Sequence, residues 1–527
     1  MTLSKVTLEG LPVYRNEPFT DFAIADNRKA MVDAIAAVKA EFGRTYPLTI
    51  GGNKVYTAET IRSVNPGNVD ETVGYACKAS KAHAEEAMGA ALTAFETWKR
   101  AGAAERSSYL LRAAKLMRER KHGFSATMIL ESGKNWVEAD VDTAEAIDFL
   151  EFYAREAIRL SETNEHRPLV AIPGEANRVE YIPLGVGIVI PPWNFPLAIC
   201  VGMTAAAIVS GNTVVLKPSS LTPVIAHRFF ALMEEVGLPA GVINYLPGSG
   251  AEVGDYLTKH PQTRFISFTG SKEVGLRINR LAAETSDGQI WIKRVIAEMG
   301  GKDGIVVDET ADLDAAAAAI VASAFGFQGQ KCSAGSRAII VDDVYEELVG
   351  KIVARTRELE VGLPELDFPS GPVSDPLAFD KIMEYIDIGR GEGNLLVGGH
   401  KAEGNGYYIQ PTVFSEVSPK ARIMQEEIFG PVLAISRAKD YKEAISIYND
   451  TEFGLTGSYY SQDEGRIAYA TQEMHCGNLY VNRKCTGALV GVHPFGGFNM
   501  SGTDSKAGGY DYLLLFTQAK LVSRKLK

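Results

Sequence analysis

Between Tyr181 and Leu216 the chain carries no charged residue, and no other stretch constrains the fold as tightly. A membrane-spanning helix needs ~20 continuous apolar residues. Here Gly185, Gly187, Pro191, Pro192, Asn194 and Pro196 cut the run into short pieces. It reads instead as a buried strand from Val186 to Ile190, a tight loop, a buried helix from Leu197 to Val209, and a second strand from Thr213 to Leu216. Short strands that are apolar throughout belong to a parallel sheet covered on both faces. No membrane insertion is expected.

The same logic orders the rest of the chain. An amphipathic helix opens near Asp26, with Met31, Ile35, Val38 and Phe42 on one stripe and Gly43 as its stop. Leu48, Ile50 and Val55 flank Gly51-Gly52, a hairpin signal. A helical region runs from about Ala79 to Phe152. Strand–glycine turn–helix units follow, at Val242 to Leu246 and at Phe265 to Phe268, the latter leading into a helix from Lys272. A second α/β stretch runs from about Gly301 to Asn482, with strands at Gly304 to Val307 and Arg337 to Val341 and a helix around Ala315 to Ala324. This is the pattern of a doubly wound α/β protein.

Charge narrows the classes of function. The balance is 54 basic against 65 acidic residues, or −11, which excludes a broad nucleic-acid surface because phosphate binding needs a positive field. Five cysteines cannot all pair, and they read as reduced thiols in a cytoplasmic protein. Lys5, Glu9, Arg15 and Glu17 stand where a signal peptide needs an apolar stretch. Metal-ligand spacings such as CxxC and HExxH are absent, so no metal is expected.

Five local patterns carry chemistry. Gly270-Ser271-Lys272-Glu273-Val274-Gly275 follows a strand pattern and opens a helix, so its backbone N–H groups can face a pyrophosphate. A purely structural turn fits the same residues. Gly211 to Pro218 delivers Lys217 to the carboxyl end of a strand, where ligands of open α/β sheets bind; a solvated lysine capping a strand is the alternative. Gly329-Gln330-Lys331-Cys332-Ser333 sets a thiol beside an ammonium, which predicts a lowered pKa and thiolate character. Cys77, Cys200, Cys476 and Cys485 lack that setting and read as structural thiols. Glu298-Met299-Gly300-Gly301-Lys302 leaves room around a carboxylate that can act as a general base, or is a glycine turn with an incidental acid. Pro192-Trp193-Asn194-Phe195-Pro196 is a rigid loop aiming an amide donor suited to an oxyanion, or a plain Asn turn.

In this order, and together with Phe268-Thr269-Gly270-Ser271, Glu427-Ile428-Phe429-Gly430-Pro431 and Pro494-Phe495-Gly496-Gly497, the patterns resemble the aldehyde dehydrogenase superfamily. The resemblance covers nearly the whole chain past residue 45. It implies a Rossmann-type cofactor domain (1–169 and 183–298), an α/β catalytic domain (299–507) and a small β oligomerisation arm (170–182 and 508–527). In such an enzyme Cys332 would attack the aldehyde carbon, Asn194 and the Cys332 N–H would hold the oxyanion, and Glu298 would activate water. Lys217 and Glu427 would hold ribose, Phe429 would wall the nicotinamide and Ser271 would meet phosphate, with Pro192, Trp193, Gly270, Gly275 and Gly300 lining the cofactor. NAD is the implied cofactor. Ser220 stands where an acidic residue would exclude a 2′-phosphate, so NADP stays open.

Within the superfamily, Glu131 to Ala139, Phe327 to Ser333 and Lys484 to Gly491 resemble the branch that oxidises L-glutamate γ-semialdehyde in proline breakdown. That branch implies a zwitterionic substrate. Lys331, Ser333 and the N–H groups of Gly487 and Ala488 would receive its carboxylate, and Glu138 its ammonium. Phe195 and Phe495 would sandwich its methylene chain, or simply pack in the core. The arm implies a homo-oligomer, at least a dimer, and the pathway implies coupling to a separate proline dehydrogenase. Another semialdehyde, such as succinate semialdehyde, and a cofactor-independent thiol hydrolase remain the competing readings.

Overall fold

A computed structural model describes residues 8–527, so Lys5 lies outside the described residues. Two seven-stranded sheets organise it. In the first, the strands Val186–Ile190, Thr213–Leu216, Ile243–Tyr245, Thr263–Thr269 and Arg294–Glu298 run parallel. The hairpin Leu48–Ile50 and Asn53–Val55 adds an antiparallel edge. Chain order reverses between Val186–Ile190 and Thr263–Thr269, which are neighbours although two strands separate them in sequence. In a sheet of this kind the crevice beyond the carboxyl ends at the reversal is the ligand site.

The charge-free run forms the centre of this half. Ile188, Val189, Val214, Leu216 and the helix Ala198–Val209 are buried almost without exception. The helices Lys81–Trp98, Ala103–Glu119, Lys121–Ser132 and Trp136–Ser161 replace the single long helical region of the sequence reading. Gly133, at φ +73°, ends the third of them.

The second sheet runs, in spatial order, Asn394–Val397, Thr412–Ser415, Val432–Ala438, Arg337–Val341, Gly304–Val307, Thr456–Tyr460 and Asn478–Val481, with only the first strand antiparallel. The link from Glu298 to Gly304 joins the carboxyl end of a strand in the first sheet to the amino end of a strand in the second. It therefore lies where the two halves meet.

A two-stranded ribbon pairs Glu175–Pro183 with Thr517–Lys525, antiparallel from Glu175↔Lys525 to Thr517↔Pro183. Tyr512, Leu513 and Phe516, just before it, are buried in the body. The ribbon thus begins at Thr517, inside the arm segment drawn from Gly508. Among the described residues no helix is long and apolar enough to cross a membrane.

Candidate active site

The crevice at the sheet reversal is lined by loops that leave the strand ends. Val186–Ile190 runs into buried Pro192, half-buried Trp193 and buried Asn194. Thr263–Thr269 runs into Gly270, whose N–H donates to the Glu298 carbonyl at 3.1 Å. Ser271 caps the helix Lys272–Ala283 through its side chain, leaving the helix N-terminus and its dipole at the crevice. Gly275 serves packing: a Cβ there would run into Met299 and Phe268. Lys217, 6 % exposed, has one hydrogen-bond contact among the described residues, the carbonyl of Pro218 at 3.5 Å. Burial pulls its pKa down to about 8. Ser220 is exposed on the following loop.

Glu427 closes the crevice from the second half. Its carboxylate accepts from the Gly301 N–H at 3.0 Å, and burial raises its pKa. It occupies the space that a Cβ on Gly300 would need. Phe429 holds φ +61° and meets the Trp193 ring edge-on at 5.6 Å. A dinucleotide fits this set: an underused buried ammonium, a carboxylate against glycine backbone, an aromatic wall and a helix N-terminus.

Cys332 follows a turn in which Phe327, Gln328 and Gly329 all hold positive φ, at 49°, 54° and 67°. Only glycine fits at 329, because a Cβ would collide with the Gly430 carbonyl. Two consecutive non-glycine residues in the left-handed region amount to strain of ~1–3 kcal/mol each, held by the surroundings. Gln328 is fixed by donating to the carbonyls of Gly133 at 3.3 Å and Pro372 at 3.1 Å. Asn194 donates to the Gln330 carbonyl at 3.0 Å, which pins its amide and leaves a second N–H. The Cys332 N–H has no partner among the described residues.

The thiol corrects one expectation. Burial, then the carboxylates of Asp303, Glu298 and Glu427, push its pKa up rather than down. Lys331 does not offset them, because its ammonium pairs with Glu138 at 2.6 Å. A proton must therefore leave Cys332 for it to act as a nucleophile. Glu298 can take it: burial raises its pKa to about 7. Its carboxylate accepts from the Gly497 N–H at 3.1 Å and from the Ser505 hydroxyl at 2.5 Å.

The Glu138–Lys331 pair also changes the reading of the substrate end, where the two were to meet opposite ends of a ligand. They form one ion pair. Against burial, which would raise it, the ammoniums of Lys331 and then Lys134 hold Glu138 below the usual carboxylate range. Lys134 is wholly buried, with its Nζ 4.0 Å from the Phe195 ring centre, 4.1 Å from that of Phe327 and 3.4 Å from Asp142. It thus underlies both the Asn194 loop and the nucleophile turn. Ser333 is buried beside Cys485, whose thiol donates to the Ser333 carbonyl at 3.5 Å. Gly487 holds φ +80°, and Ala488 follows it half-buried. Phe495 lies on a segment bridged to Ala507, without direct ring contact to Phe195 among the described residues.

The roles of Ser505, Asp303, Asp142 and Lys134, the last within the run Glu131 to Ala139, are not legible in the sequence. Ser505 reaches Glu298 across 207 residues, and nothing local in the chain marks that pairing.

A thiol in a strained turn, an amide donor, a titratable carboxylate and a dinucleotide crevice define a class, and the comparison with known families agrees. The chain belongs to the aldehyde dehydrogenase family, whose model matches residues 55–522. A curated relative from Geobacillus sp. (strain WCH70), named 1-pyrroline-5-carboxylate dehydrogenase, is 58 % identical over 97 % of this chain and 99 % of its own length. The crystal structure of 1-pyrroline-5-carboxylate dehydrogenase from Thermus with bound NAD is 51 % identical, with a TM-score of 0.97 over 98 % of this chain and 100 % of that one. Proline utilization A from Bdellovibrio bacteriovorus is 42 % identical, with a TM-score of 0.95; the match covers 97 % of this chain and 53 % of that one.

Proposed function

We propose that this chain oxidises L-glutamate γ-semialdehyde, in equilibrium with 1-pyrroline-5-carboxylate, to L-glutamate with NAD as cofactor. The observation that carries the reading is the meeting of Cys332, Asn194 and Glu298 at one junction, beside the Lys331–Glu138 pair. The relatives named 1-pyrroline-5-carboxylate dehydrogenase support the substrate, and the NAD-bound Thermus structure supports the cofactor.

Glu298 accepts the proton of the Cys332 thiol, and the sulfur adds to the aldehyde carbon to form a thiohemiacetal. The free N–H of Asn194 and the Cys332 N–H receive the oxyanion. When bound, the nicotinamide dinucleotide supplies hydride-acceptor chemistry. Lys217 and Glu427 hold its ribose, and Trp193, Phe429 and the N-terminus of the helix Lys272–Ala283 line its seat. Once Glu298 has released the thiol proton to solvent, its carboxylate takes a proton from the water that attacks the acyl thioester, and the Cys332 sulfur leaves as thiolate. Ser333 and the amides of Gly487 and Ala488 receive the α-carboxylate beside the Lys331–Glu138 pair, while the rings of Phe195 and Phe495 exclude water around the methylene chain.

The domain boundaries drawn from the sequence, the cytoplasmic location and a homo-oligomer formed through the ribbon are part of the same reading. The match to about half of proline utilization A supports coupling to a proline-oxidising enzyme. The test is NAD reduction over an aldehyde panel. Glutamate semialdehyde should give the highest kcat/KM; a preference for succinate semialdehyde overturns the substrate, and ester turnover without NAD reduction overturns the reaction.

A further inference from the structure

The loop after the strand Asn478–Val481 holds charges that the chemistry above does not use. The Arg483 guanidinium stacks on the Tyr480 ring, 4.2 Å from its centre. Its Nη2 donates to the carbonyls of Thr486 at 3.1 Å and Gly487 at 3.0 Å. With those carbonyls drawn to one cation, the N–H groups of Gly487 and Ala488 have no hydrogen-bond partner among the described residues. A Cβ on Gly487 would stand 3.8 Å from both Arg483 Nη2 and Lys484 Nζ, so two cations flank this one residue. Lys484 lies in turn within the field of Lys331 and Glu138.

Lys331 and Lys484 thus lie in the field of a single carboxylate, Glu138, and Arg483 in the field of Lys484, on a chain whose net charge is −11. A local excess of positive charge with unpaired amides at its centre is complementary to a carboxylate. A guanidinium resting on the Tyr480 ring holds its two Nη2 hydrogens in a fixed plane facing both carbonyls; a lysine ammonium supplies the charge without that fixed plane.

We propose that Arg483 is a specificity-determining positioning residue, which fixes the Thr486–Gly487 backbone so that the amides of Gly487 and Ala488 meet a substrate carboxylate, and that with Lys484 it selects carboxylate-bearing aldehydes over neutral ones. This rests on the reading that the loop receives the substrate's α-carboxylate.

The test measures kcat/KM of the full-length enzyme on glutamate semialdehyde and on propanal, a neutral aldehyde, for the unaltered chain, Arg483→Gln and Arg483→Lys. Arg483→Gln should lose roughly 10- to 100-fold on glutamate semialdehyde, mainly through KM, and stay within about threefold on propanal. Arg483→Lys should recover only part of the loss. An equal fall on both aldehydes makes Arg483 a merely structural residue and overturns the proposal, as does an unchanged ratio. If the unaltered enzyme does not prefer glutamate semialdehyde, the underlying reading of the loop fails, and the proposal with it.

Discussion

The dinucleotide crevice and the charged end of the site flank Cys332, yet they are made of different materials. The crevice is mostly backbone: strand ends, a helix N-terminus and glycines, with Lys217 and Glu427 as its charged groups. The charged end is side chains, with Lys331 on Glu138 and Lys134 on Asp142, the Lys134 ammonium lying against the Phe195 and Phe327 rings. Backbone geometry is set by nearby residues and the fold, and its polar groups cost little to bury once their hydrogen bonds are paired. Buried ions are costly unless paired, so the charged end depends on every partner being present.

The sharpest separation of the two regions is Cys332→Ala. It should lower aldehyde oxidation by at least about 10⁴-fold while leaving dinucleotide affinity within about threefold, because the crevice does not use the thiol. Dinucleotide titration by fluorescence checks it, and lost binding would show the two regions to be one.

Removing a single ion tests the cost of the charged end. Lys134→Met strands the Asp142 carboxylate in the core, which should cost about 3–5 kcal/mol of stability in denaturant unfolding. Lys134→Met with Asp142→Asn removes both charges and keeps the contact to the Ala198 N–H, so most of the loss should return. If the double variant is as unstable as the single, the pair is not what holds this end together.

The same contrast explains what could be read in the chain. Val186–Ile190, Thr213–Leu216 and the glycine turns stood out because strand periodicity and turn residues are local signals. Cys332 follows the Gly329 turn, Glu298 ends a strand just before Gly300-Gly301, Asn194 sits in the proline-flanked loop, and the structure brings them to one junction. The charge pairings were not legible. Lys331 looked free to lower the pKa of its neighbour Cys332, but it is claimed by Glu138, 193 residues away. Only the folded chain shows that Asp303, Glu298 and Glu427 surround the thiol instead.

The backbone-built side has its own weak point at Gly300, where an added Cβ meets the Glu427 carboxylate. Gly300→Ala should displace that carboxylate and raise the KM for NAD roughly 10- to 100-fold, the worth of one or two charge-assisted hydrogen bonds. The KM for the aldehyde should hardly move. A rise in both would mean that the crevice and the charged end are coupled through the Glu298–Gly304 link.

The smallest effect is also the one that joins the two regions, because Glu298 stands between them. Its carboxyl titrates near 7 rather than in the usual carboxylate range, since burial penalises its charged form. A base must be deprotonated to accept a proton, so activity should be full above that value. Below it the ionised fraction, and with it the steady-state rate, should fall about tenfold per pH unit. From pH about 8 to pH about 6 the loss is therefore roughly tenfold. Glu298→Gln, which cannot accept a proton, should have a low rate with this acidic limb removed. Ser505→Ala separates position from charge: without its hydroxyl the carboxylate loses a donor that favours its ionised form, and the limb should move to higher pH. A limb that stays in place in Glu298→Gln assigns the titration to another group, and Lys302, whose pKa burial lowers to about 7, is the first to examine.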